Sequence, residues 1–293
     1  MKKEKYTERE LKEIKKRVVL FKIKNFWRLP SLWRGHKVAN RNPRAKVRNM
    51  STITTCFPLS SGKWVYLVYA YPLSIIHRFL DGLAKWATEK YCIKVVSPKK
   101  WKEAFVSNSF IPIIPVDIKN VVAMPYIENE NLFDILTGKI GNYSYVKKEK
   151  MIRMAVEIIN EMHSRNVVWG ELIVHNMIKS QEGEIVICDT ETVYYKGDLI
   201  EQKVSDWLDF ICSTCGSISQ LHPEKVSHLI YLIMDQIQDD FVKQYLKERC
   251  GKKRTLLHRL LFVYTLERLK CSPRLYERVK EEIMTWSPLY CCK

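Results

Sequence analysis

The chain has 293 residues, 46% of them hydrophobic and 28% charged, a globular composition that excludes a fully disordered chain, a collagen-like repeat and a small disulfide scaffold. Its formal net charge is +17, from 49 Lys+Arg against 32 Asp+Glu, which makes nucleic acid, anionic membrane and phosphorylated ligands the partners to consider. The length suits one large domain or two lobes, each with its own core.

The charge is concentrated at the start. Residues 1–50 hold 17 basic and 4 acidic residues, net +13, and the remaining 243 carry 32 basic and 28 acidic, net +4. Between Lys15 and Met50 there is no acid. Thr7 and Glu10 have the spacing of a capping box, and Leu11, Ile14, Val18 and Phe21 follow at helical spacing, so an amphipathic helix is expected over residues 8–24. Residues 25–50 read as a basic loop with Pro30, Gly35 and Pro43, and with Trp27 and Trp33 among the charges. Basic residues with interleaved aromatics suit phosphate contact and base stacking. The alternative is that the tryptophans pack this segment onto the body while the charges are solvated. Residues 1–60 are read as a basic N-terminal extension, with residues 1–50 a candidate contact for nucleic acid or an anionic surface.

The charged stretch from Lys2 to Arg17 is unlike a secretory signal. The longest apolar run, Trp64–Ile76, is interrupted by Pro72 and Ser74 and is too short to span a bilayer. A chain that is not transmembrane is expected. Nine dispersed cysteines, an odd number, fit reduced thiols in a cytoplasmic protein. Cys212-Ser-Thr-Cys215 lacks the second ligand pair of a zinc site, so partly buried core cysteines are the expectation.

Lys63–Ala70, Tyr91–Val96 and Asn120–Tyr126 are β-branched and aromatic runs, expected as strands. Residues 146–165 have Ile152, Ala155, Ile159 and Met162 on one helical face. Glu184–Cys188 is a further expected strand, with a turn near Lys196-Gly197. From Ser205 onward the pattern is helical. Val226, Leu229, Ile230, Ile233 and Ile237 mark one helix; Leu256, Leu257, Leu260, Leu261 and Tyr264 a second; Leu275, Val279 and Ile283 a third. A strand-rich first half before a helical second half is an α+β arrangement, with two lobes expected.

Residues 162–210 carry the chemistry. The helix ends near Arg165-Asn166, Val167-Val168 lead into Gly170, and Glu171 and Asn176 stand five residues apart in a loop. Met177–Lys179 and Glu184–Cys188 flank Gln181-Glu182-Gly183 as a hairpin, which folds Asp189 back toward Asn176. A carboxylate, an amide and a second carboxylate around one point are hard oxygen ligands, suited to Mg²⁺ carrying phosphate oxygens.

This segment resembles the catalytic and metal-binding loops of the protein-kinase-like superfamily. That pattern sets an Asp before Leu, an Asn five residues on, and a metal-binding Asp at the DFG position. Glu171-Leu172 and Asn176 keep the first spacing, and Asp189 stands thirteen residues after Asn176. Gly170 is similar to the H-G-D-L form of atypical kinases. Val121–Leu136 resembles the strand, hinge and following helix that hold adenine, and Glu201–Asp209 resembles the segment whose Asp braces the catalytic loop. The likeness is to small atypical kinases, among them the kinase of the KEOPS tRNA-modification complex, the RIO kinases and lipopolysaccharide-core kinases. Asp189-Thr-Glu191 is also similar to aminoglycoside and choline phosphotransferases.

The resemblance implies a bilobal protein-kinase-like fold, with a small strand-rich N-lobe at 61–126 and a mainly helical C-lobe at 127–293. It implies an ATP- and Mg²⁺-dependent phosphotransferase, an atypical serine/threonine protein kinase with a protein substrate. Asp189 and Asn176 would be the metal ligands, and Glu171 would orient the acceptor hydroxyl. Asp206 would brace the catalytic loop. Lys94, in Cys92-Ile93-Lys94, would contact the phosphates with Glu103 as its partner. Gly82, in Asp81–Lys85, would lie in the phosphate-covering loop, and Met124, Tyr126 and Glu128 would bind nucleotide along the hinge. The chain departs from the family at Trp169, where His is usual, at Glu171, where Asp is usual, and at Thr190-Glu191, which replaces Phe-Gly. One added methylene can displace a reacting group by about 1 Å. A pseudokinase that binds nucleotide or a partner is therefore the alternative within the family. A nucleic-acid-binding module using the basic arm is the alternative outside it.

Overall fold

The computed structural model describes residues 6–26, 47–48, 53–70, 93–94, 102–103, 112–126, 129–170, 172–188, 194–195, 198–252 and 269–288. Among the described residues are seven α-helices and nine β-strands, an α+β arrangement. The chain divides into two compact units. The first comprises Met1–Leu83, Lys94–Glu128 and Cys188–Tyr194; the second comprises Ala84–Ile93, Asn129–Ile187 and Tyr195–Lys293.

The first unit begins with α1 (Glu8–Asn25). The Thr7 hydroxyl accepts from the Glu10 N–H at 3.2 Å, and the Glu10 carboxylate accepts from the Thr7 N–H at 2.7 Å. This capping box satisfies donors that a helix start otherwise leaves open. Four strands follow in an antiparallel sheet of order β1-β2-β3-β5, with β1 at Val47–Arg48, β2 at Ile53–Pro58, β3 at Trp64–Tyr69 and β5 at Val121–Pro125. Ile114 bridges to Ala123 on the outer side of β5. Ile14 and Val18 of α1 are fully buried in one core with Val65, Leu67, Tyr69, Val121 and Ala123. Burial of each such side chain contributes about 1.5–3 kcal/mol.

The acids of α1 hold the β2–β3 turn. Glu13 accepts from the Ser60 N–H and hydroxyl, and Glu10 accepts from the Ser61 hydroxyl and pairs with Lys63. Gly62 takes φ +86° in this turn, where a side chain would be strained. Residue 60, the expected end of an N-terminal extension, thus falls inside a hairpin. The expected extension contributes α1 and β2 to the unit's core, because Ile14 and Val18 repeat on one helical face that packs into it with Phe57. Trp27, Trp33 and the loop around them lie outside the described residues.

Among the described residues, β4 (Ile93–Lys94) pairs with β9 (Tyr194–Tyr195) and not with the four-stranded sheet.

The second unit holds a three-stranded antiparallel sheet of β6 (Asn129–Asn131), β7 (Met177–Ser180) and β8 (Ile185–Ile187). Its helices are α2 (Leu132–Leu136), α3 (Tyr145–Ser164), α4 (Leu199–Ile218), α5 (Val226–Gln236), α6 (Asp240–Gly251) and α7 (Pro273–Thr285). Every residue of α4 from Lys203 to Ile218 is buried, so this helix is the central post of the unit. Cys212 and Cys215 are both within that post, fully buried and free, and burial pushes both thiols up. The helix expected around Leu256–Tyr264 and the turn at Lys196-Gly197 lie outside the described residues.

Candidate functional site

The site is built in the second unit from a helix end, a loop and a hairpin. Helix α3 stops where Asn166 takes φ +57°, a left-handed conformation that Asn tolerates better than most residues. The Asn166 N–H donates to His163 O and the Val167 N–H to Met162 O, both at 3.0 Å. These two bonds form a Schellman close with Asn in the glycine position. The chain then reverses toward Trp169 and Gly170, the latter at φ +86°.

Asp206, on α4, is fully buried and meets this loop from below. Its carboxylate accepts from the Trp169 N–H at 2.7 Å and from the Gly170 N–H at 2.8 Å. Nε2 of His163, at the end of α3, lies 3.2 Å from the same carboxylate. With the carboxylate as acceptor, the tautomer that fits this contact carries its hydrogen on Nε2. Nδ1 of His163 is buried and makes no hydrogen bond among the described residues. The Trp207 ring packs edge-on against the imidazole at 5.8 Å. Three donors thus surround a carboxylate that burial would otherwise penalise by several kcal/mol.

Two more ties hold the rest of the loop. The Val174 N–H donates to the Ser213 hydroxyl at 3.2 Å. Asp206 and Ser213 are seven residues apart, about two helical turns, so one face of α4 grips the loop at two points. The Asn131 side chain donates to His175 O at 2.8 Å, and the His175 ring stacks on Phe133 at 3.7 Å. Leu172, Ile173 and Val174 are buried between these ties. Asn176 ends the short 3₁₀ turn Val174–Asn176 and directly precedes β7. The hairpin pairs Met177 with Ile187, with Gly183 at φ +86° in its turn.

On the outer pair of this sheet, Glu130 of β6 faces Lys179 of β7. Lys179 donates to Glu130 at 2.8 Å and to the Tyr143 hydroxyl at 2.9 Å, and Tyr143 also donates to Glu130. The lysine, then the phenol, hold the Glu130 carboxyl below its ordinary range, and Glu130 raises Lys179 in return.

The residues expected at a site divide as follows. Asp206 meets the loop at Trp169 and Gly170, and Asn176 stands at the loop's other end, before β7. Glu171, Asp189, Gly82 and Glu128 lie outside the described residues, as does the side chain of Lys94. Met124 and Tyr126 are in the first unit. Met124 is buried in β5 opposite Tyr66. The Tyr126 N–H donates to Trp64 O at 2.9 Å, and the two rings lie 6.2 Å apart. The backbone donor of Tyr126 is therefore committed to the sheet. Glu103 is exposed on a helical turn beside Lys102, whose ammonium donates to Val116 O and Ile118 O.

Sequence reasoning assigned no part to His163, Ser213 or Asn131. The available signal was the seven-residue spacing of Asp206 and Ser213 on one helix. His163 carried no local signal, since its partner is 43 positions away.

Among the described residues, no cluster of three or more His, Cys, Asp or Glu side chains could hold a metal ion. Comparison with protein-family models and with curated proteins finds no match for this chain.

Proposed function

We propose that the chain is an ATP- and Mg²⁺-dependent phosphotransferase of bilobal protein-kinase-like fold, transferring the γ-phosphate to a serine or threonine hydroxyl of a protein substrate inside the cell. One observation carries this reading. The buried Asp206 carboxylate accepts from the N–H groups of Trp169 and Gly170, directly before Glu171. Phosphoryl transfer asks little covalent chemistry of a protein. It asks for groups held still around the phosphate and the acceptor, and the ties from Asp206, Ser213 and Asn131 supply that rigidity.

In this reading Glu171 accepts a hydrogen bond from the acceptor hydroxyl, orients it, and takes its proton as the phosphate moves. Asn176 and Asp189 offer oxygen atoms, the donor chemistry that suits Mg²⁺. The ion, when bound, neutralises charge on the phosphate oxygens. The hairpin register supports the approach of these two residues, since Asn176 precedes Met177, Met177 pairs with Ile187, and Asp189 is two residues beyond Ile187. Because the Tyr126 N–H is committed to Trp64, adenine recognition falls to the positions after it, including Glu128.

A nucleotide-binding scaffold is the second reading. It is favoured by β4, which carries Lys94 and, among the described residues, pairs with β9 and not with the sheet that holds Met124. Kinases carry the phosphate-contacting Lys within that sheet, on its third strand.

Purified protein incubated with γ-labelled ATP and Mg²⁺ tests the proposal. Transfer of label to the chain itself or to a generic protein acceptor, lost in Asp189→Ala, supports phosphotransfer. Nucleotide binding without transfer selects the scaffold. Absence of both overturns the reading.

A further inference from the structure

Helix α1 turns two different faces to its surroundings. The inner face carries Ile14 and Val18 into the core. The acids Glu10 and Glu13 are spent on the β2–β3 turn, through Ser60, Ser61 and Lys63. The outer face, by contrast, is cationic and then aliphatic along the helix axis. Arg9, Lys12 and Lys16 are exposed on its first half. Val19, Leu20 and Ile23 follow on its second half, 45%, 59% and 68% exposed. At 100° per residue these six side chains lie within one stripe. Lys15 and Lys24 are exposed at its flanks. None of these five cations makes an ion pair among the described residues.

From this stripe we infer that α1 docks the protein on an anionic lipid bilayer, lying along the surface. The charge and the aliphatic groups each select that partner. Phosphate-bearing headgroups attract this row, whose five exposed cations outnumber the one exposed acid of the helix, Glu8. The acyl–headgroup boundary accepts Val19, Leu20 and Ile23, which water penalises. A nucleic-acid backbone would match the lysines but would leave the aliphatic side chains in water. No helix of the described residues is long and apolar enough to cross a membrane, so the contact is with the surface. The fold supplies the orientation, because the opposite face of α1 is fixed in the core of the first unit. This inference stands on α1 alone and holds whether or not the chain transfers phosphate.

The test uses the full chain and sedimentation with vesicles of phosphatidylcholine alone, or of phosphatidylcholine mixed with phosphatidylserine. Binding to the mixed vesicles only, weakened by salt, is expected. The double variant Lys12→Gln/Lys16→Gln should lower partitioning about twenty-five-fold, from roughly fivefold per lost cation. Leu20→Gln/Ile23→Gln should lower it about tenfold or more through lost apolar burial. All four positions are exposed, so unchanged circular dichroism is expected of both variants. Absence of binding to mixed vesicles overturns the inference. So does binding that neither double variant reduces. Binding of an RNA duplex that falls in the lysine variant alone, without vesicle binding, overturns it in favour of nucleic acid.

Discussion

Asp206 Oδ2 lies 3.2 Å from His163 Nε2, and both side chains are buried. The contact joins the end of α3 to the middle of α4 across 43 positions of sequence. It also fixes which residues surround the loop, because the same carboxylate receives the N–H groups of Trp169 and Gly170. Trp169 itself places a buried indole beside this loop, and the imidazole that meets Asp206 comes from α3.

Removing the carboxylate should therefore cost far more than removing the imidazole. Asp206→Ala leaves three donors unsatisfied and should lower unfolding free energy by about 3–5 kcal/mol. His163→Ala keeps both backbone donors paired and should cost about 1–3 kcal/mol. Urea unfolding of the two variants checks the order. Equal losses would mean that Asp206 is held mainly by His163.

The acid limit of stability should depend on Glu10. The Ser61 hydroxyl first, then the Thr7 N–H, and also Lys63 hold its carboxyl at about 2, down from an ordinary 4.5. A carboxyl depressed on folding stabilises above its unfolded value, and the contribution is lost as pH falls through the folded one. The loss should run from about 4.5 to about 2. Glu10→Gln should be less stable at neutral pH and should show a shallower decline across that window. Thermal melts across an acid pH series read this directly. Parallel curves for the two proteins would remove Glu10 from the account.

Gly216 permits close packing within the second unit. A Cβ at this position would lie 2.5 Å from Lys270 O and 3.0 Å from Leu269 O. Both are backbone atoms, so the chain itself must move. Gly216→Ala should cost about 1–3 kcal/mol as an overpacked site, despite the better helix propensity of Ala. A melting temperature at or above that of the parent would show that residues 269–270 yield freely.

Glu171 should separate chemistry from nucleotide binding. Under the phosphotransfer proposal, Glu171→Gln retains shape and loses the base, lowering the rate of label transfer by about 10²–10⁴-fold. Nucleotide affinity, followed by fluorescence titration, should change little. An undiminished rate would assign the proton to another group.

The sequence was most legible where structure is local. Thr7 and Glu10 announce the start of α1, Asn166 follows the last turn of α3, and Gly183 marks the β7–β8 turn. The spacing from Glu171 to Asn176 falls on the loop that Asp206, Ser213 and Asn131 hold. What stayed hidden depends on distant partners. The strand β6 consists of Asn-Glu-Asn, residues that disfavour strands, and it forms because β7 is there to pair with it. Likewise β2 is Ile-Thr-Thr-Cys-Phe-Pro, too mixed a run to stand out beside a basic segment. The periodicity of α1 gave an amphipathic helix but not the sheet that covers it. Ser213 and His163 look like ordinary helix residues until α4 and α3 are side by side.

The burial of α4 also governs when the loop can open. The amide hydrogens of Trp169 and Gly170 point into the Asp206 carboxylate, and every α4 residue from Lys203 to Ile218 is shielded from water. Exchange of those two hydrogens with solvent requires the carboxylate to leave. That can happen only when the post of the unit loosens. A segment without regular secondary structure is therefore expected to share the lifetime of this buried helix, its slowest motions being those of subglobal unfolding.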